Sequence, residues 1–530
     1  MGKTVRLGIY FLIITLGFFA ARIHDRSTSL TKRQLTCLTA KYYGPRELSC
    51  AEINRQERAI YEKINSLRAD RGLPSLKISD AAMLVARYHS NLMRRQGVGS
   101  FEFKGVSSIE QRKTNAGIGD NCFYALYGNI SIRGVIKQIE SEDASIYTND
   151  ELTHIGIGVI RQWLPWRYWA TIVYIGRIAS VKKFPVYLSH EGFTETLRWK
   201  LKESYNNPVV EITIPSGESE QLPVHSFLGG FYSAEIPFRQ KGKYIVEILA
   251  KGPYGPEVAQ IMPVYIGVER EDALVGSKSK PLDIHHEEDL ERAMFELINK
   301  ERQKYEIEPL QFNTRLCEIA RVHSYAMAKA GKAVHNLPGS PDLGQRVEDA
   351  HLKVLMRGEN VAFDSSIEKA HRGLMGSPAH RHLIVDPNFS DVGIAIVRRK
   401  NLLFITEDFA RFIPDISPLE GKRKLLRQMR EFTNAYFEEN IELSSIAQEH
   451  SKKMAFSGRL LGVKGLQKEI GSHQIRYKQI YFFTISALTM EQITEKVKDK
   501  LPSLNSIKEA GVGIQQDKQG ILWVTLILIF

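Results

Sequence analysis

Cysteine is scarce in this sequence, with four residues in a chain of 530. A scaffold held together by disulfides needs far more, so each domain must be stabilised by a hydrophobic core of its own. Cys37 and Cys50 lie close together in the chain and can pair in an oxidising compartment. Cys317 falls on an apolar helical face, where burial is expected, and Cys122 has no obvious partner.

The chain also lacks low-complexity tracts and any block of Lys or Arg interleaved with aromatic residues. Its net charge of +12 is spread along the whole length. This distribution argues against nucleic acid as a partner. A pI of about 9.2 favours instead a weak attraction to an anionic surface, such as lipid head groups or wall polymer. Membrane or cell-wall association is therefore expected.

Long hydrophobic runs are missing except near the N-terminus, where residues 7–21 carry no charge. As a helix this run spans about 22 Å, which is short of the roughly 30 Å hydrocarbon core of a bilayer. Lys3 and Arg6 precede it, which is the pattern of a secretory signal. The small-residue cleavage pattern is poor, so an uncleaved N-terminal anchor stays open as an alternative. Either outcome leaves residues 1–30 outside the fold and predicts an extracytoplasmic location.

A short motif, Ala-x-x-His-Ser-x-x-Met, occurs three times at widely separated positions. Its Ala, His and Met recur at i, i+3 and i+7, which places them on one face of a helix. Because every copy keeps the histidine at core spacing, His89, His323 and His450 are expected to be structural residues. Self-similarity of this kind indicates a repeated supersecondary unit.

Each motif is followed at a similar distance by a glycine-containing strand, and then by a second apolar strand. The glycine strands begin at Gly156, Gly393 and Gly511, and the second strands are Tyr168–Ile175, Leu402–Thr406 and Ile521–Phe530. Each copy therefore reads as helix, helix, irregular middle, helix and two antiparallel strands. Helices should flank such a sheet to cover its apolar faces.

The domain boundaries follow from these repeats. The copies span residues 52–177, 284–412 and 425–530, and segments 271–286 and 413–422 look like linkers. Between the first two copies, residues 179–270 show strand alternation broken by Pro and Gly, which indicates a small all-β, Ig-like sandwich. We expect this sandwich to be a spacer without chemistry.

Only the middle copy carries a set of polar residues suited to chemistry. His335 follows its second helix, Glu359 lies in a Gly-Glu-Asn segment, and Ser377-Pro-Ala-His380 comes later, after a predicted Ser365–Glu368 capping box. Two imidazoles and one carboxylate make a three-ligand set for a divalent metal such as zinc, with one position open for water. The spacing has no metal signature of its own, and the alternative is polar loop ends at the surface.

The middle copy resembles the bacterial branch of the CAP superfamily, the SCP domains of cysteine-rich secretory, antigen 5 and pathogenesis-related proteins. The resemblance rests on residues 358–360, 374–381 and 385–396, and it is strongest over residues 287–412. It is fainter over residues 52–177 and 425–530, and it excludes the β-rich segment.

This resemblance implies three tandem α-β-α sandwich modules, a secreted location and a central cleft that can hold zinc or another divalent ion. The cleft histidines fall on His335 and His380, and the carboxylate falls on Glu359. A further acidic residue of many relatives falls near Ser377, where this chain has none.

The outer copies depart further from the pattern. The first offers Gly119-Asp120-Asn121 at the carboxylate position, and Phe101–Phe103 and Ser141–Ser145 at the two histidine positions. The third has Phe456-Ser457-Gly458 and no Gly-Glu-Asn segment. Without imidazoles, neither copy should hold a transition metal, so both are expected to be structural or binding modules.

These observations favour a secreted or envelope-anchored protein that binds a lipid, glycan or peptide ligand through the middle cleft, with a divalent metal. The alternative is a metal-assisted hydrolase of peptide or ester bonds in the cell envelope, with Glu359 as general base or ligand. A serine mechanism using Ser377 and His380 and a purely architectural role are the remaining interpretations. Whether the chain is an enzyme stays open, and binding is preferred.

Overall fold

The computed structural model describes residues 42–43, 53–268 and 286–530, with short gaps at 102, 104–105, 107, 142–148, 164–165, 400–401, 435, 474, 476 and 502–506. The predicted signal or anchor, the Cys37 and Cys50 pair and most of the 271–286 linker lie outside these residues. Among the described helices, none combines the length and the apolar character needed to cross a bilayer.

The first unit is a four-stranded sheet with its helices. Its elements are α1 (Arg55–Ala69), β2 (Lys77–Ile78), α2 (Asp80–Gln96), α3 (Ile109–Asn115), β3 (Asn121–Asn129), α4 (Ile132–Ser141), β4 (His154–Gln162) and β5 (Arg167–Gly176). A preceding strand, β1 (Tyr42–Tyr43), pairs with β7 (Phe184–Pro185), which follows the first unit.

Two sheets that share one apolar core follow, and we call them the sandwich. Its strands are β6 (Ala179–Val181), β8 (Tyr187–Leu188), β9 (Phe193–Leu201), β10 (Asn206–Thr213), β11 (Ser219–Leu222), β12 (His225–Phe227), β13 (Phe231–Phe238), β14 (Gly242–Gly252) and β15 (Gly255–Ile266), while β7 forms a separate two-stranded sheet with β1. One sheet has the order β11-β10-β14-β15-β8 and the other β12-β13-β9-β6. Alternate residues of these strands point into the shared core.

The second and third units again contain helices and one sheet each. The second has α5 (Glu287–Lys304), β16 (Gln311–Phe312), α6 (Thr314–Ala330), α7 (Leu343–Asp349), β17 (Val354–Asp364), α8 (Ile367–Gly376), α9 (Pro378–Val385), β18 (Asp391–Arg399) and β19 (Leu402–Phe412). The third has α10 (Pro418–Thr433), β20 (Glu438–Glu439), α11 (Ile441–Ser457), α12 (Lys464–Ser472), β21 (Ile480–Ala487), α13 (Met490–Lys498), β22 (Glu509–Gln516) and β23 (Leu522–Ile529).

The sheets of the three units have the same strand order, β2-β4-β5-β3, β16-β18-β19-β17 and β20-β22-β23-β21. In each, the short first strand is parallel to its neighbour and the other pairs are antiparallel. The expected two-stranded sheet with an irregular middle is therefore wrong. The middle segment supplies a full strand because it pairs along its whole length with the last strand of the unit.

Helices cover both faces of these sheets. In β5, Ala170, Ile172 and Tyr174 belong to one core cluster, whereas Val173 and Ile175 belong to another. Successive strand residues point to opposite faces, so a strand that is apolar throughout must be covered on both sides. The result is a three-layer arrangement with the sheet in the middle.

The serine of the repeated motif fixes a helix against the sheet through hydrogen bonds. In every unit the motif serine donates to a strand carbonyl, and its hydroxyl oxygen makes a second hydrogen bond with a threonine hydroxyl, over distances of 2.8 to 3.0 Å: Ser90 with Gly158 and Thr171, Ser324 with Ala395 and Thr406, and Ser451 with Gly513 and Thr525. The neighbouring histidines are buried and hydrogen-bonded, which confirms their structural role.

Two local expectations are wrong. The N-cap of α8 is Ser366 and not Ser365, because the Ser366 hydroxyl accepts the Lys369 N–H. The 413–422 segment is only partly a linker, since Ser417 caps α10 and the helix begins at Pro418. Leu425, Leu426 and Met429 of that helix belong to the core of the third unit, so this unit begins before residue 425.

We expect Gly393→Ala to destabilise the second unit by about 3 kcal/mol or more, because a Cβ at this position would overlap the backbone of Leu316 in α6. Gly373→Ala is the matched control: it lies in the same unit, its added methyl would meet open space, and it should be neutral or stabilise helix α8 by up to about 1 kcal/mol. Urea unfolding of the full chain measures both variants. Equal stability of the two would contradict the close helix–sheet contact.

Candidate functional site

The three predicted site residues lie on three different elements of the second unit. His335 is in the loop after α6, which ends at a left-handed Gly331. Glu359 lies in the middle of β17, and His380 is in the first turn of α9. The loop is held by His323, whose Nε2 lies 2.8 Å from the carbonyl oxygen of Val334, the residue before His335. The structural histidine of the repeat therefore also positions the first site residue.

Glu359 is held by contacts at both of its carboxylate oxygens. His335 Nδ1 lies 2.9 Å from Oε1, and the Arg346 guanidinium contacts Oε2. Burial alone would raise the pKa of Glu359, but the hydrogen bond from His335 and the charge of Arg346 outweigh it, so the pKa lies below its usual value. Glu359 is therefore ionised, and His335 must donate its Nδ1 proton because an ionised carboxylate only accepts.

A second carboxyl group lies directly beside this one. Asp408 on β19 is the cross-strand partner of Glu359, and its Oδ1 lies 3.6 Å from Nη2 of Arg346. Burial, followed by the negative charge of Glu359, raises the pKa of Asp408 well above its usual value. One guanidinium thus faces two buried carboxyl groups whose pKa values are shifted in opposite directions, that of Glu359 down and that of Asp408 up.

His380 is connected to a carboxylate of the sandwich. Its Nδ1 lies 2.7 Å from Ser377 Oγ, and Ser377 Oγ donates to Oε1 of Glu247 over 2.5 Å. The second oxygen of Glu247 accepts the Ala379 N–H at 2.9 Å. When Glu247 is ionised, the serine proton points to it, so His380 Nδ1 carries the other proton and Nε2 is left as an acceptor. Burial and the nearby His335 lower the pKa of His380 to about 4.

Asn360 joins the two halves of the site. Its side-chain amide donates to the carbonyl oxygen of His380 at 3.1 Å and to Glu407 at 3.1 Å. Glu359 and Asn360 are adjacent in one strand and face opposite sides of it. The Gly-Glu-Asn segment therefore holds His335 through its carboxylate and the His380 backbone through its amide.

The site lies where the second unit meets the first unit and the sandwich. The Asn336 N–H donates to the Tyr254 carbonyl of the sandwich at 2.9 Å. Lys332, in the same loop, binds Asp150 and Glu151 of the first unit at 3.1 and 3.2 Å. The loop that carries His335 is thus fixed from two sides, and clefts between domains are common places for ligands.

Three functional residues escaped the sequence analysis, namely Glu247, Arg346 and Asp408. Glu247 had a visible signal, because it is the single charged residue in the otherwise apolar stretch from Tyr244 to Leu249 and is fully buried. A buried carboxylate needs partners, and those partners lie in another domain. The expectation that the sandwich is only a spacer overlooked this contact.

The register of the sheets corrects the position assigned to the carboxylate in the first unit. The threonines bound by the motif serines are equivalent, and the residues that occupy the Glu359 position relative to them are Tyr124 in the first unit and Phe482 in the third. Asp120 lies outside the strand and binds Arg177 and Gln260 of the sandwich instead. Among the three units, the ionisable pair of Glu359 and Asp408 belongs to the second.

The predicted three-ligand metal set is not gathered in this form. Within the described residues, no group of three His, Cys, Asp or Glu side chains is placed to hold a metal ion. Glu359 is already engaged by His335 and Arg346, so it is not free to act as a ligand. Nε2 of His335 and of His380 makes no hydrogen bond in the described part of the chain, which leaves two imidazole nitrogens as donors.

We expect Arg346→Met to lower the free energy of unfolding by about 3–5 kcal/mol, because the variant leaves the Glu359 charge buried without its cation. Adding Glu359→Gln to this variant should recover part of the loss, since the uncompensated charge is then gone. Arg292→Met, at an exposed position of α5, is the control. Denaturant unfolding of the full chain measures the free energy of unfolding of all three variants. A loss for Arg346→Met that is no larger than the loss for the control would refute the prediction.

Glu247 generates a pH dependence of stability. Burial raises the pKa of Glu247 from 4.5 to about 7, despite the Ser377 hydrogen bond. The folded state therefore binds this proton more tightly than the unfolded state, and stability is lost as pH rises from about 4.5 through about 7. This carboxyl group contributes no more than about 3 kcal/mol. Glu247→Gln should flatten the decline between pH 5 and 8 in thermal unfolding, whereas Glu203→Gln, at an exposed position of the sandwich, should not.

Comparisons with known proteins bear on two of the three units. The model of the cysteine-rich secretory protein (CAP) family matches residues 61–174 and 295–409. A Bacillus subtilis (strain 168) protein, the uncharacterized protein YkwD, is 33% identical over 110 residues, which is 20% of this chain and 42% of that protein. The chain thus spans less than half the length of this relative.

Solved structures similar to this chain include an outer surface protein of Borrelia burgdorferi, with 16% identity and a TM-score of 0.23 over 25% of this chain and 99% of that one. An extracellular SCP-domain protein of Bacillus anthracis str. Ames has 20% identity and a TM-score of 0.23 over 42% of this chain and 68% of that one. The family model matches the first and the second of the three units whose sheets have the same strand order. Two segments of this chain, residues 61–174 and 295–409, are therefore domains of the CAP family.

Proposed function

We propose that the second unit is the ligand-binding domain of a secreted or envelope-anchored protein, and that it takes a lipid, glycan or peptide into the cleft around His335 and His380. One observation carries this proposal: the second unit keeps a connected set of ionisable side chains where the other two units have Tyr124 and Phe482. Buried carboxyl groups are costly to keep, so a pair that the described residues show in one of three similar sheets points to function.

The extracytoplasmic location is supported by the signal-like pattern of residues 1–30 and by the two CAP-family domains. We also propose that residues 418–530 are a third, divergent CAP-like domain. Its strand order and the hydrogen bonds of its motif serine match those of the two family domains. The first and third units then act as structural or binding modules around the second.

We also propose that the two imidazoles are the protein ligands of a divalent ion. His335 and His380 would hold it through Nε2, and each ring is oriented at Nδ1, by Glu359 in one case and by Ser377 with Glu247 in the other. Such outer partners fix the tautomer of a ligating histidine. A bound ion would supply Lewis acidity to a ligand oxygen, and two protein ligands leave positions open for that oxygen.

The geometry favours binding over hydrolysis. A general base works best with a pKa near the working pH, whereas the hydrogen bond from His335 and the charge of Arg346 hold the pKa of Glu359 below its usual value and make it a weaker base. Ser377 is 2% exposed and directs its hydroxyl to Glu247, so it is poorly placed to attack a substrate. Both observations argue against the hydrolase interpretations.

We expect His335→Ala and His380→Ala each to weaken Zn²⁺ binding by the full-length protein at least ten-fold, and Glu359→Gln to weaken it about 10- to 100-fold through the lost orienting contact. His382→Ala is the matched control, because it removes an exposed imidazole from the same helix. Isothermal titration with the metal alone measures the affinities. Unchanged affinity in the double variant His335→Ala/His380→Ala would reject the site.

The ligand is sought by thermal-shift screening of the full-length protein against lipid, glycan and peptide panels, with the same variants. A stabilising hit that the two histidine variants lose and the control keeps supports a binding cleft. Turnover of ester or peptide substrates that Glu359→Gln abolishes would overturn the binding proposal in favour of hydrolysis.

A further inference from the structure

The first unit exposes large apolar side chains at one end of its sheet. Trp163 and Trp166, which flank the turn between β4 and β5, are 42% and 56% exposed. Ile130, directly after β3, is 74% exposed, and Val98, after α2, is 49% exposed. Exposed aromatic and aliphatic groups gathered at one place mark an interaction surface rather than scattered surface residues.

The sheet register places these residues together. Gln162 pairs with Arg167 at the end of β4 and β5, and Asn129 pairs with Tyr168 at the end of β3. The residues that follow these pairs therefore project beyond the same edge. Helix α2 runs in the direction of β4, as the contacts of Ala82 with Gly156 and of Ala86 with Gly158 show, and so ends at this edge too.

The two exposed indoles are held in place by a cation. The Arg161 guanidinium carbon lies 4.3 Å from the ring centroid of Trp163 and 4.1 Å from that of Trp166. Below them, the buried Trp169 donates its indole N–H to Gln162 over 2.7 Å. These contacts orient the outer rings without burying them.

The same edge is strongly basic. The described residues among 93–101, 127–134 and 159–170 include the arginines Arg94, Arg95, Arg133, Arg161 and Arg167, and they include no Asp or Glu. We call this surface, made of Val98, Ile130, Trp163, Trp166 and these arginines, the aromatic–arginine edge. Its field attracts an anionic partner, and its centre is apolar.

The fold itself does not require this composition. In the third unit the corresponding turn, between β22 and β23, is the polar segment Asp517–Ile521. There the indole N–H of Trp523 donates to the carboxylate of Asp517, and the ring is 4% exposed. A polar turn closes an equivalent hairpin well, so the exposed tryptophans of the first unit need another explanation.

We propose that the aromatic–arginine edge docks on the surface of an anionic lipid bilayer. Tryptophan prefers the boundary between head groups and acyl chains, where its apolar ring is buried and its N–H stays wet. Arginine beside it attracts acidic head groups. Ile130 and Val98 favour a lipid over a wall polymer, because aliphatic side chains gain from acyl chains and gain little from a charged polysaccharide.

The tryptophan content of the chain makes a direct test feasible. Of its five tryptophans, Trp169, Trp199 and Trp523 are at most 4% exposed, so a quencher inside a bilayer can reach only Trp163 and Trp166. The full-length protein is mixed with vesicles of brominated phosphatidylcholine, with or without an equimolar amount of phosphatidylglycerol. We expect quenching of tryptophan emission with the anionic vesicles, little with the zwitterionic ones, and release of the quenching by salt.

Charge variants test the edge without touching its tryptophans. Arg95→Gln and Arg133→Gln, at exposed positions, should each lower the affinity for anionic vesicles roughly five-fold. Arg459→Gln, at an exposed position of the third unit, is the control and should leave affinity unchanged. A double variant Trp163→Phe/Trp166→Phe should lose the quenching while circular dichroism and thermal unfolding stay as in the parent.

Three results would overturn the proposal. The first is co-sedimentation with anionic vesicles without quenching, which would mean that the chain binds through another segment, such as residues 7–21. The second is equal quenching by zwitterionic vesicles, which would remove the role of the arginines. The third is binding to purified anionic wall polymer with no contact to vesicles.

Discussion

The close approach of one helix to the sheet determines how each unit of this protein is packed. Glycines of the central strand, such as Gly158 and Gly513, let the motif helix come so near that any Cβ would overlap its backbone. At that contact the hydroxyl group of the motif serine donates a hydrogen bond to a strand carbonyl. Because a buried hydroxyl must be hydrogen-bonded, this contact fixes both the distance of the helix from the sheet and its rotation about its own axis. The adjacent histidine is then fixed as well, and in the second unit it holds the loop of His335.

Electrostatic constraint distinguishes the second unit from its neighbours. Arg346 faces Glu359 and Asp408, and a single cation cannot neutralise two ionised carboxylates in a dry interior. Burial and the Glu359 charge raise the pKa of Asp408, whereas His335 and Arg346 lower the pKa of Glu359, and the Glu359 carboxylate orients His335. Glu247, in its ionised form, orients His380 through Ser377. Carboxylates from two domains thus orient the two imidazoles of the candidate site.

Prediction from sequence succeeded for features that depend on residues near one another in the chain. The serine and glycine markers revealed the repeats, because both depend on neighbours along one helix and one strand. Prediction failed where pairing between distant segments decides the outcome: the edge strand that the middle segment of each unit supplies went unrecognised, and Asp120 was assigned to the position that the register gives to Tyr124. A strand pattern states which residues alternate, but it does not state the partner or the register.

The sequence by itself determined that the units repeat, that their helices lie against glycine-bearing strands, and that imidazoles and a carboxylate at suitable places occur in the middle one. Only the tertiary structure decided which partners these side chains have. Glu247 reaches Ser377 across 130 residues of chain, and the contact exists because the sandwich docks on the second unit. Docking depends on the shape and charge of whole surfaces. No local pattern encodes such a fit, so the completed site appears only in the folded molecule.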